Sequence, residues 1–92
     1  MNDALPLALA LTRAMLEAAR EGDWEQLVAL EVERHPLVMR PVAQDEDSVS
    51  QLGELLALDR ELHALVSQAR DQAGEQWQAG QDRARAIAAY GG

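Results

Sequence analysis

Residues 17–38, EAAREGDWEQLVALEVERHPLV, restrict the fold more than any other stretch. Ala18, Ala19 and Arg20 are good helix formers. Gly22 then supplies the left-handed position that commonly closes a helix. Asp23 follows as an N-cap, and Gln26 sits where the partner of a capping box belongs. A helix end, a reversal and a helix start are therefore written in a handful of residues. Trp24 opens the second helix and is placed to pack across the hairpin.

The flanking sequence extends both arms. The first helix is expected over about residues 4–21, capped by Asp3, with Pro6 in a first turn that tolerates its missing N–H. Its polar side is narrow, holding Arg13, Glu17, Arg20 and Glu21. Leu5, Leu9, Leu11, Met15, Leu16, Ala18 and Ala19 form an apolar arc wide enough to need neighbours on more than one side. The second helix is expected over about residues 24–40, with Pro36 kinking or ending it and Pro41 the firmer stop. Its wheel is divided. Leu27, Leu30, Leu37 and Val38 form one apolar lobe and Trp24, Val28, Val32 and Met39 the other, with Glu31, Arg34 and His35 between them.

Residues 42–47, VAQDED, read as an acidic linker, after which Ser48 and Gln51 form a second capping-box pair. A third helix is expected over about residues 48–90. Its leucines lie early, from Leu52 to Leu65, and its later stripe thins to Ala69, Ala73, Gly80 and Ala84 with isolated Trp77, Ile87 and Tyr90. At a rise of ~1.5 Å per residue this helix is roughly 60 Å long, against roughly 25–30 Å for each of the others. The short linker makes it antiparallel to the second helix. The hairpin then covers only its N-terminal half, and the distal half projects beyond. The expected fold is all-α: an antiparallel three-helix bundle with a long, projecting third helix, as one domain over residues 1–92. Leu16, Trp24, Leu27, Leu55 and Leu62 are its expected buried residues.

Composition narrows the function. The chain has no cysteine, and so neither a disulfide framework nor a thiolate metal site. Sixteen acidic residues against eight basic ones give a net charge of −8, which disfavours nucleic acid and anionic membranes. No apolar run approaches bilayer length. The LPLALAL stretch lacks a basic n-region and continues as an amphipathic helix, so it reads as helix and not as a leader. His35 follows Glu31 and His63 follows Asp59 by four residues, a spacing that ordinary helical ion pairing explains without zinc. Residues 45–47 lack the alternation and glycine of a calcium loop. No glycine-rich phosphate loop or nucleophile elbow is present. A small helical mutase of the chorismate type would need clustered cations. Here arginine is scattered and outnumbered, so the chain is read as a non-enzyme without cofactors.

What remains is apolar surface. Val28, Val32, Leu37, Val38, Met39 and Leu56 are the candidate partner-binding residues of a groove between the second and third helices. Trp77 and Tyr90 are the candidate anchors on the distal half, where small residues admit close approach of another helix and a homodimer is expected.

LALT at residues 9–12 with Met15 and Leu16, AAREGDW at 18–24 with Leu27, EVER at 31–34, LLALD at 55–59 with Leu62, and AIAAY at 86–90 together resemble the FliT family of flagellar export chaperones over nearly the whole chain. The resemblance implies a cytoplasmic, non-enzymatic chaperone. Such proteins bind the C-terminal helical region of the flagellar filament-cap protein and hand it to the export ATPase complex, and in some bacteria also bind the flagellar master transcription regulator. Members often carry a further C-terminal helix that masks the binding surface. This sequence ends two residues after Tyr90, so such masking is not expected here. The rival reading is a homodimeric coiled-coil adaptor that uses the same surfaces.

Overall fold

The computed structural model describes residues 4–90 and contains three helices: α1 (Ala4–Arg20), α2 (Trp24–Val38) and α3 (Glu46–Tyr90). The expected Asp3 cap lies outside the described residues. The reversal after α1 is built as its sequence predicts. Gly22 adopts φ +72°, its N–H donates to the Ala19 carbonyl (3.1 Å), and the Asp23 N–H donates to the Ala18 carbonyl (2.8 Å). This pair of bonds satisfies two carbonyls that a helix end would otherwise leave bare. Asp23 Oδ1 accepts from the Gln26 N–H (3.2 Å). Only that half of the capping box forms, because the Asp23 N–H is already engaged with Ala18.

Two boundaries differ from expectation. α2 passes through Pro36 but stops at Val38, two residues short of Arg40. Pro41 disfavours helical geometry at the residue before it, so continuation to Arg40 is opposed. At the next boundary Asp45, not Ser48, caps α3, its Oδ1 accepting from the Ser48 N–H (3.1 Å). Glu46 and Asp47 therefore lie in the first helical turn, where carboxylates oppose the positive end of the helix dipole. The acidic run is a helix start and not a linker. Hydrogen bonds from Ser48, its side chain foremost and then its backbone N–H, hold the Asp45 carboxyl below its ordinary range.

The bundle is organised around α1. α2 and α3 both pack on α1 and not on each other's backbone. The wide apolar arc of α1 accounts for most of the burial: Ala4, Ala8, Leu9, Leu11, Met15, Leu16, Ala18 and Ala19 are all enclosed. α3 adds only Leu55 and Leu62. Ala8, Leu9 and Leu55 form one buried cluster, and Met15, Leu16, Ala19 and Leu62 another, with Leu58 packed against both. α1 and α3 run parallel, their register marked by ion pairs one heptad apart. Arg13 meets Glu54, and Arg20 Nη2 meets Glu61 at 3.0 Å. These pairs are about half exposed, so they align the helices more than they stabilise them.

Leu16, Leu55 and Leu62 are buried as expected, and Leu27 is half-buried. Trp24 is a correction: it is 39% exposed. It sits at the hairpin end, where the facing stretch of α3 offers Ala69 and Ala73, too small to enclose an indole. Past that point α3 has no neighbour. Every side chain from residue 71 to 90 is exposed, and the molecule measures 70 × 20 × 20 Å. At ~1.5 Å per residue, α3 alone accounts for that long axis.

Candidate functional site: a bridged groove between the second and third helices

α2 and α3 lie on α1 with their backbones apart, which leaves a groove between them floored by α1. It has two lobes. The upper lobe is lined by Ala4, Leu5, Leu37, Val38, Leu52, Leu55 and Leu56, with Arg40 at its rim. The lower lobe is lined by Met15, Leu27, Val28, Val32, Leu62 and Val66, with His63 and Arg70 on the α3 wall. Their volumes are about 210 and 400 Å³, so the lower lobe accepts the bulkier apolar group.

A polar bridge separates the lobes. Arg34 of α2 is 8% exposed and reaches across to α1 and α3. Its Nη1 donates to Asp59 Oδ1 (2.7 Å) and to Thr12 Oγ1 (3.1 Å). Its Nη2 donates to Glu31 Oε2 (2.8 Å). Thr12 is fully buried, and its own hydroxyl donates to the Ala8 carbonyl (2.8 Å), one turn back on α1. Among the described residues Arg34 Nε has no partner, a desolvation cost of about 1–3 kcal/mol. Asp59 and Glu31 remain open to the groove, their side chains 26% and 46% exposed. A planar, permanently charged guanidinium is the side chain that can hold three oxygens in a fork.

The sequence-predicted residues distribute unevenly. Val28 and Val32 stand exposed on the lower lobe, and Val38 and Leu56 on the upper. Leu37 lines the upper lobe too but is half-buried, packed against the Ala8–Leu9–Leu55 cluster. Met39 is the C-cap of α2 and lines neither lobe. Trp77 and Tyr90 lie far from the groove, Tyr90 93% exposed, and nothing brings them together with it. Sequence reasoning missed the bridge. Its signal was a threonine within the apolar arc of α1, an arginine between the two lobes of α2, and an aspartate within the leucine stretch of α3. Each alone looks like a tolerated polar residue, and only their meeting makes a feature.

The groove is open, and the two acids at its bridge, Glu31 and Asp59, are both paired with Arg34. Among the described residues no group of three or more His, Cys, Asp or Glu side chains could hold a metal ion, and no helix is long and apolar enough to cross a membrane. Fold and groove together define a small all-α protein that presents a two-lobed, largely apolar groove beside the exposed distal half of a long helix. The sequence model described as flagellar protein FliT matches residues 3–92, and the chain belongs to that family. Membership implies, in general terms, the role of a flagellar export chaperone. Comparison with curated proteins and with solved structures gave no match.

Proposed function

We propose that the chain is a cytoplasmic, non-enzymatic flagellar export chaperone, a single helical domain, that holds a helix of the filament-cap protein in the α2–α3 groove and delivers it to the export ATPase complex. The flagellar master transcription regulator is proposed as a second protein ligand. The observation that carries this reading is the groove itself: two helix backbones held apart by a third, with Val28, Val32, Val38 and Leu56 left exposed along its walls. Exposed valine and leucine along a groove between two helices suit recognition of an amphipathic helix by its apolar face.

The test is titration of the full chain with the C-terminal helix of the cap protein. Val32→Glu places a charge in the lower lobe and is expected to weaken binding at least tenfold while the circular dichroism spectrum stays unchanged. Affinity that survives glutamate at Val32, Val38 and Leu56 alike would place the ligand elsewhere. A second reading, self-association as a coiled-coil adaptor, is supported by the exposure of Trp77, Ile87 and Tyr90 on the free end of α3. Under that reading the cap-protein helix leaves the oligomeric state unaltered and does not bind.

A further inference from the structure

The bridge divides the groove by charge as well as by shape. Arg34 contributes one positive charge, while Glu31 and Asp59 contribute two negative ones, so the cluster carries a net −1 on the arithmetic of its ion pairs. Arg34 spends Nη1 on Asp59 and Thr12 and Nη2 on Glu31, and it is buried. Arg34, Glu31 and Asp59 all line the lower lobe, and of the three the carboxylates are the more exposed. Among the described residues no hydrogen bond reaches Asp59 Oδ2 or Glu31 Oε1. Both side chains are partly exposed to solvent while the groove is open. A helix laid across the bridge removes that solvent.

The chemistry of the covering residue then decides the outcome. An apolar side chain leaves desolvated carboxylate oxygens without donors. An acidic one adds a third negative charge to a site of reduced dielectric. A basic one neutralises the cluster and donates to the two open oxygens. Among the described residues neither of the other arginines lining the groove is ion-paired to the bridge. Arg70 lies eleven residues beyond Asp59 on α3, about 16 Å along the axis, and Arg40 lies beyond the end of α2. His63 stands one turn from Asp59, on the lower lobe.

We propose that the groove selects its helix by a basic side chain, arginine or lysine, placed where the helix crosses the Glu31–Arg34–Asp59 bridge, between an apolar anchor in each lobe. This rests on the groove being the helix-binding site. Selectivity follows from desolvating the open carboxylates, so apolar helices without the cation bind more weakly even though the lobes would admit them.

Three stapled synthetic helices, identical except for arginine, methionine or glutamate at the central position, provide the test by fluorescence anisotropy with the full chain. The expected order is arginine tightest, then methionine, then glutamate, with at least tenfold between the extremes and a narrower spread at high salt. Glu31→Gln leaves Arg34 balanced by Asp59 alone, and in that variant the arginine and methionine peptides are expected to bind within about twofold of each other. Equal binding of the three peptides, all weakened by Val32→Glu, overturns the charge inference and leaves the groove standing. An arginine preference that persists undiminished in Glu31→Gln also overturns it. Binding that ignores Val32→Glu, or no binding by any of the three, overturns the inference together with the groove reading beneath it.

Discussion

Arg34 carries the greatest tension of any side chain here. Burying a guanidinium is tolerated only because Thr12, Asp59 and Glu31 receive three of its N–H groups. Removing it strands Asp59 beside an apolar core. Arg34→Ala is expected to cost about 3 kcal/mol, the low end for breaking a buried pair because Asp59 keeps some solvent. Urea denaturation reads this directly. The paired substitution Arg34→Met with Asp59→Leu removes both charges and is expected to recover most of the loss, since apolar groups of similar volume commonly replace buried ion pairs without penalty. Arg34→Lys is not a mild change at this position, because one ammonium cannot span the same three oxygens.

At the scale of elements, the helices differ in what sustains them. α1 lives on burial, and α2 on its capped start and its contacts with α1. α3 begins with a charge-dependent turn and ends with no tertiary support. The first turn is testable by pH. The Asp45 carboxyl is held below its ordinary value, so the folded state binds fewer protons than the unfolded one near that value. Its contribution is complete above the unfolded pKa of about 3.9 and is lost as pH falls through the folded value. The protection of the Ser48 and Val49 amides, relative to intrinsic exchange at each pH, is expected to fall over that acid range. Asp45→Asn keeps an accepting oxygen without the titrating group, and is expected to flatten the response at this turn. The distal half of α3 is weaker still. Gly74 and Gly80 each cost about 1 kcal/mol relative to alanine, and open space surrounds the position a side chain would take at either.

At the scale of the whole molecule, the rod shape separates folding from association. Buried and half-buried side chains of α3 end at Ala69, and the Trp24 end of the hairpin lies along α3 as far as Gln76. A chain cut after Gln76 is expected to keep its melting temperature within a few degrees and its cooperative transition. If Trp77 and Tyr90 mediate self-association, the same cut abolishes concentration-dependent sedimentation. A truncated chain that unfolds would mean the distal segment stabilises the bundle after all.

The three helices, the hairpin at Gly22–Asp23 and the projecting end of α3 were legible because they rest on local signals. Caps and a left-handed glycine act within a few residues of the chain, and helix lengths follow from the absence of breakers. The clustered leucines of α3 likewise announced where its cover stops. Trp24 shows the limit. Its size and its place beside the turn argued for burial, but enclosure depends on what lies opposite, and Ala69 and Ala73 are too small to supply it. The same holds for Asp45 against Ser48, both competent caps, where the choice turned on two acidic residues gaining the helix dipole. The bridged groove was beyond local reading altogether. Thr12, Arg34 and Asp59 lie on three different helices, and only the packing of α2 and α3 side by side on α1 brings them within hydrogen-bond distance. Sequence periodicity specifies which face of a helix is apolar. Which faces meet, and which polar side chains are trapped between them, is decided by the tertiary structure, because burial is a property of neighbours and not of the residue.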